Sequence, residues 1–326
     1  MDLPSKENSL NKRETRSTLV SRLRQDHQAS SGFKLMTTFP AVILVALVIA
    51  LFIRAYPILE QIPINELLLG KSWKPSLGEF GFLPFISGSI WVTLVGMVFA
   101  VPVSVLTAIY LAEYARNFTR TIIKPVIDIL AGIPSVVYGL WGVLVIVPWV
   151  QNSLRPFFEK TFPSIGFFQS NNPTGYSILS GGLVLAVMVM PFIIAISYEV
   201  MRTVPKGLHE ASLAVGSTRW QTVRYVVLPK TITGLIAGIV MGTSRAFGET
   251  IAVLMVIGNV PNLPVSIFDA AYPLPALIAN NYGEMMSIPM YDAALLGAAL
   301  LLLIIVLIFN LIAAFVLRRM MMRSMA

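Results

Sequence analysis

The sequence predicts an all-α polytopic membrane protein with six transmembrane helices, and three observations carry that reading. Of its 326 residues, 56% are hydrophobic and only 12% charged, whereas a soluble chain carries roughly a quarter charged residues. Its mean hydropathy is +0.76, so its solvent is hydrocarbon. Six apolar segments lie near residues 35–56, 86–112, 125–149, 178–198, 230–257 and 291–317. Each is long enough to cross a ~30 Å core at about 1.5 Å per residue.

The segments between them set the orientation. Residues 1–34 carry Lys6, Lys12, Arg13, Arg16, Arg22, Arg24 and Lys34, and the second connection carries Arg116, Arg120 and Lys124. The fourth carries five basic residues, and Arg318, Arg319 and Arg323 close the chain. Together these are 18 of the 24 Lys and Arg, while the intervening loops hold only Lys71, Lys74, Arg155 and Lys160. Positive-inside bias puts both termini in the cytoplasm. The net charge of +8 is thereby explained by topology next to membrane lipid, not by nucleic acid. There are no cysteines, and the two histidines, His27 and His209, fall in polar segments. Disulfides and thiolate metal sites are excluded, and histidine-based metal or nucleophile chemistry has almost nothing to work with.

In chain order, residues 1–34 read as a cytoplasmic tail, disordered or lying on a surface, with a weakly amphipathic patch at Leu19, Val20 and Leu23. No short apolar core with a cleavage site marks it as a secretory signal. Residues 35–85 form the first span and an outer loop, 86–317 the main transmembrane domain, and 318–326 a cytoplasmic tail. The outer loops 57–85, 150–177 and 258–290 are rich in Pro, Gly and aromatics. Within the last, Pro273 to Glu284 reads as a short helix. Pro102, Pro134 and Pro191 lie inside the expected spans, where proline removes a backbone bond and kinks the helix. Gly70-Lys71-Ser72 imitates the end of a phosphate-binding P-loop, but Asn65 stands where its first glycine belongs and the segment is on the outer side. Asn117-Phe118-Thr119 matches a glycosylation sequon but falls in a cytoplasmic loop.

The most structured polar stretch runs from Pro205 to Pro229 and reads as two short helices joined at a glycine. Leu208, Ala211, Ser212 and Val215 share one face of the first. Gly216 suits the left-handed turn that closes it. Thr218 and Gln221 form a capping box that opens the second, which Pro229 is expected to stop at Leu228. Glu210-Ala211-Ser212, three residues, Gly216, nine residues and then Val226-Val227-Leu228-Pro229 resembles the EAA loop of ABC importer permeases. Ser212 and Val226 depart conservatively from that pattern. The resemblance implies that Glu210, Ala211, Ser212, Gly216, Leu228 and Pro229 couple the chain to a separate ATPase.

The fifth segment holds charge inside the membrane. Arg245 lies fifteen residues past Lys230, roughly 22 Å along a helix. A central arginine costs about 2.5–3.5 kcal/mol even on the insertion scale, so it is expected to face the bundle interior with a partner. Glu249 stands four residues on, the spacing of a helical pair. Gly234, Gly238 and Gly242 fall on the same face as both charges and give overlapping G-x-x-x-G motifs for close helix packing. Two readings follow: a salt bridge that locks the bundle, or an anion-contacting site on a pathway flanked by Ser244 and Thr250. Asp128 and Asn310 are weaker candidates.

The run Ser244 to Asn259, SRAFGETIAVLMVIGN, is similar to the PstC-type permease subunit of bacterial phosphate ABC importers, and the likeness extends from the second span to the end. It implies a MetI-like helical bundle paired with a PstA-type permease. It also implies a PstB-type ATPase dimer, which binds ATP and magnesium, and a PstS-type phosphate-binding protein outside. In the family's pattern Arg245 and Glu249 are the charged pair. The chain itself would have no catalytic residues and no cofactor or metal. The residues also admit an ion-coupled secondary phosphate transporter, with Glu249 carrying a proton, or an ABC permease for another oxyanion.

Overall fold

A computed structural model of the chain describes residues 6–284, 288 and 290–325. The elements follow in order: α1 (Lys6–Gln61), α2 (Ile64–Leu69), β1 (Trp73–Lys74), β2 (Glu79–Phe80), α3 (Leu83–Ile109), α4 (Asn117–Gly132), α5 (Ser135–Trp141), α6 (Val147–Trp149), α7 (Arg155–Thr161), α8 (Ile178–Arg202), α9 (Lys206–Ala214), α10 (Arg219–Thr222), α11 (Leu228–Phe247), α12 (Ile251–Val256), α13 (Leu274–Asn281) and α14 (Tyr291–Met325). Among the described residues six helical stretches are long and apolar enough to span a membrane: Gly32–Gln61, Leu83–Tyr114, Ser135–Thr161, Ile178–Arg202, Arg219–Phe247 and Tyr291–Met320.

The chain divides into two compact units after Arg54. The first is a lone helix, with Phe33, Phe39, Ile43 and Ile53 exposed. That helix starts at Lys6, so the tail is helical and not disordered. The stretch from Lys6 to Ser31 contains neither Pro nor Gly, and nothing in it interrupts the backbone ladder. The side chains of Leu19, Val20 and Leu23 lie outside the described residues.

The second unit is organised around α8. Ser177 caps its N-terminus by accepting from the Ser180 N–H, and most of the helix is buried by α3, α4, α11 and α12. Its largest core contains Val92, Val184, Leu185, Val189, Ile193 and Val256. A second core joins Ile58, Phe82, Phe85, Leu274, Leu277 and Tyr291. A third joins Leu111, Ile127, Tyr198, Met201, Val223 and Val227. The hairpin β1–β2 pairs Trp73 with Phe80 and turns at Gly78, whose φ is +75°. The helix expected within Pro273 to Glu284 is α13.

Two expected spans are shifted. The third is not 125–149 but Ser135–Thr161, and 117–132 is the separate helix α4. Pro134 causes the break: it sits at the N-cap of α5 with extended ψ, not inside a span. Asp128 therefore belongs to α4 and not to the third apolar stretch Ser135–Thr161. The loop expected at 150–177 is helical as far as Thr161. Pro102 and Pro191 do lie inside α3 and α8, and the Ser104 hydroxyl donates across to the Met190 carbonyl at 3.3 Å.

The fifth span is not 230–257. It begins at Arg219 and ends at Phe247, with α12 following a break at Gly248–Thr250. Pro229 does not stop the preceding helix at Leu228. A wide five-residue turn, Val223–Val227, absorbs the missing proline N–H and carries the helix through, the Leu228 N–H bonding the Val223 carbonyl. Such π-type turns relieve the clash between a proline ring and the preceding turn.

Candidate functional site

The polar island folds largely as its residues dictate. α9 ends in a turn at Gly216, where φ is +88°, a conformation that only glycine adopts freely. Thr218 Oγ1 accepts from the Gln221 N–H at 3.3 Å, and Gln221 Oε1 accepts from the Thr218 N–H at 2.7 Å. The capping box is complete. The Ser212 and Thr222 hydroxyls bond each other at 2.9 Å, tying α9 to α10. Glu210 and Ala211 are exposed and Leu228 is half-buried. Apolar side chains are exposed here as well: Leu208, Leu213, Trp220, Tyr225 and Val215, the last at 82%.

The glycines of α11 pack against α8. A Cβ on Gly234 would stand 2.4 Å from Val200 Cγ1, one on Gly238 2.8 Å from Ile196 Cγ2, and one on Gly242 2.6 Å from Ile193 Cγ1. No side chain fits at such distances without movement, so the stripe is a close helix seam.

Arg245 leaves α11 one turn beyond that seam. Its guanidinium sits over the Phe192 ring of α8, 5.4 Å from the centroid. Two expectations fail here. Arg245 is exposed on the surface of this chain instead of enclosed in its interior. Nor does it pair with Glu249: among the described residues no ion pair joins them. The helix ends at Phe247, where Gly248 and Glu249 turn back to the carbonyls of Arg245 and Ala246, so the wheel that aligned the two charges does not extend to Glu249. The Glu249 carboxylate instead accepts from the Ala252 N–H at 3.1 Å, capping α12. Its second oxygen has no partner among the described residues. Thr250 bonds the Gly248 carbonyl at 3.3 Å, and Ser244 donates to Asn310 Oδ1 of α14 at 2.7 Å. Arg245 and Ser244, adjacent in sequence, thus face different neighbours.

Three contributors carry no sequence signal of their own. Phe192 is one aromatic in an apolar helix. Glu113 ends the second span, and only the fold brings it to His209, at 3.1 Å. Lys124 of α4 pairs with Glu199 at the end of α8, and that hydrogen bond raises its ammonium above the ordinary lysine value. Among the described residues no three His, Cys, Asp or Glu side chains converge as a metal site requires.

Residues 100–322 match the family model described as binding-protein-dependent transport system inner membrane component. The chain is 38% identical over 278 residues to the phosphate transport system permease protein PstC of Xylella fastidiosa (strain Temecula1), covering 83% of this chain and 85% of that one. It is 32% identical over 296 residues to the probable phosphate transport system permease protein PstC of Methanocaldococcus jannaschii, covering 88% and 93%. In fold it is similar to a chain of a bacterial ABC transporter involved in the import of the acidic polysaccharide alginate, with TM-score 0.58, 15% identity and coverage of 91% of this chain and 99% of that one. A chain of the MetNI methionine ABC transporter superposes with TM-score 0.50 and 21% identity, covering 74% and 94%. The bundle is thus that of MetI-like importer permeases, and the chain is a multi-pass membrane protein and a transporter subunit, not an enzyme. It belongs to the binding-protein-dependent transport system inner membrane component family and, within it, to the PstC-type permease proteins.

Proposed function

We propose that this chain is a permease subunit of an ATP-driven importer of inorganic phosphate. In that role it forms the translocation pathway with a second, PstA-type permease. A PstS-type binding protein delivers the anion from outside, and a PstB-type ATPase dimer, which binds ATP and magnesium, engages the loop between Pro205 and Pro229. The basic bias of 18 in 24 supports a cytoplasmic position for that loop and for both termini.

The observation that carries the reading is Arg245, an exposed guanidinium in the last turn of the fifth span, beyond the apolar and glycine-rich stretch of α11. A guanidinium donates two parallel hydrogen bonds to a phosphate, and one stacked on an aromatic face keeps its N–H edge free to do so. Its exposure suits a pathway lined jointly by two permeases, since the second chain would complete the enclosure. Glu249 explains a preference among oxyanions. Its unpartnered oxygen is an acceptor for a protonated phosphate oxygen, which sulfate near neutral pH does not offer.

Uptake of radiolabelled phosphate by vesicles carrying the complete transporter, with membrane abundance measured alongside, tests this. Arg245→Gln is expected to abolish uptake with the complex assembled, Arg245→Lys to rescue it poorly, and Glu249→Gln to impair phosphate uptake. Normal uptake by the double variant Arg245→Gln with Glu249→Gln would overturn the site. Uptake of sulfate or molybdate in preference to phosphate would overturn the cargo. Uptake driven by an ion gradient without ATP would overturn the mechanism.

A further inference from the structure

His209 sits in the middle of α9, and its ring is held at both nitrogens. Nε2 lies 3.1 Å from Glu113 Oε2 and 3.3 Å from Oε1, and Nδ1 lies 3.3 Å from the Pro205 carbonyl one turn back. Glu113 and His209 are 96 residues apart in the chain and only 13% and 24% exposed.

Glu113 does not stand on a regular helix. It belongs to the wide turn Tyr110–Tyr114 that ends the second span, and turns of this kind mark places where a helix changes register. Two groups hold that turn from different sides. Arg120 of α4 donates to the Leu111 and Ala112 carbonyls, at 3.1 and 2.9 Å, and His209 of α9 grips the Glu113 carboxylate. The Ser212–Thr222 bond ties α9 to the foot of the fifth span. α9 therefore has one polar link to each of two spans.

We infer that Glu113 and His209 are positioning residues that carry movement of α9 into the second span, so that a push on the loop is not lost in its own flexibility. The inference rests on reading α9 as the element that meets the ATPase. A hydrogen bond to a charged group is stronger than a neutral one and directional. One that bridges two elements with few other contacts decides whether they move together.

The complete transporter in proteoliposomes tests this by the number of phosphates delivered per ATP hydrolysed. His209→Ala and Glu113→Ala are each expected to lower that ratio about ten- to 100-fold, the loss of one charge-assisted hydrogen bond. Assembly and unstimulated ATP hydrolysis should stay as they were. The double alanine variant should be no worse than either single one. His209→Gln, which keeps an N–H donor, should recover most of the ratio, a rescue that a purely structural role would not give. An unchanged ratio in the single variants, or losses that add in the double variant, would overturn the pair. Each variant also carries a cysteine at Leu213 for cross-linking to the ATPase. Cross-linking with an unchanged ratio refutes the pair alone, whereas no cross-linking in any variant refutes the reading of α9 as well.

Discussion

α8 and α14 both flank α11, and both are long apolar helices, yet they meet it in different ways. In α8, 72% of the most apolar stretch is buried, against 11% in α14. The α8 side of α11 is a glycine seam, with Val200, Ile196 and Ile193 filling the space that three missing side chains leave. Among the described residues the α14 side has a single polar stitch, from Ser244 to Asn310, and Leu307, Ile308, Leu311, Ile312 and Phe315 remain exposed. In hydrocarbon, apolar surface gains nothing by pairing with apolar surface, so close packing and hydrogen bonds decide which helices stay together. The α8–α11 contact is therefore the rigid one. The outer face of α14 is open to lipid or to another subunit.

That contrast can be broken in four places, in order of effect. Arg245→Gln removes the charge that α11 presents beyond the C-terminal end of the seam. Uptake should fall about 100-fold, as expected for losing a charged hydrogen bond to the anion, with little change in membrane abundance. Gly242→Val drives a β-branched side chain into Ile193 and should cost about 1–3 kcal/mol of stability, read as lower abundance and a lower unfolding temperature. A tolerated valine would show that the seam is loose. Phe192→Leu removes the aromatic face under the guanidinium while keeping the apolar volume. The apparent affinity for phosphate should weaken about two- to five-fold, the equivalent of a cation–π contact of ~0.5–1 kcal/mol, and Phe192→Tyr should restore it. Ser244→Ala cuts the stitch to α14 and should cost only about 0.6 kcal/mol, the mean for hydrogen bonds between membrane helices. A larger loss than for Gly242→Val would reverse the ranking of the two neighbours.

The island between α8 and α11 was legible almost residue by residue because its signals are local. A glycine at positive φ and a Thr–Gln capping box each need only four or five residues to act. The glycine seam was legible for a related reason, since a four-residue repeat keeps its face for as long as the helix stays regular. Legibility ended where the backbone departs from regularity. Pro134 separates α4 from α5, and a run that looked like one span is two helices. Gly248 ends α11 one residue before Glu249, and the pairing drawn on the wheel dissolves into a cap for α12. The surroundings of Arg245 were hidden differently. Periodicity tells which residues share a face, but not whether that face is covered by this chain or by another.

The wide turn Val223–Val227 also has a consequence for length. It contains one residue more than a regular helical turn needs, and it lies between the polar loop that follows α8 and the charged end of α11. The surplus residue is absorbed within the widened turn, so deleting Val226 would let an ordinary turn form while the faces upstream and downstream keep their present relative directions. Gly216 and the exposed Leu213 would hold their azimuth with Arg245 still over Phe192, whereas the same deletion within the regular part of α11 would swing one half against the other by about 100° around the axis. The wide turn is thus a point of slack between the two halves of the span, where a residue can be lost without changing their phase.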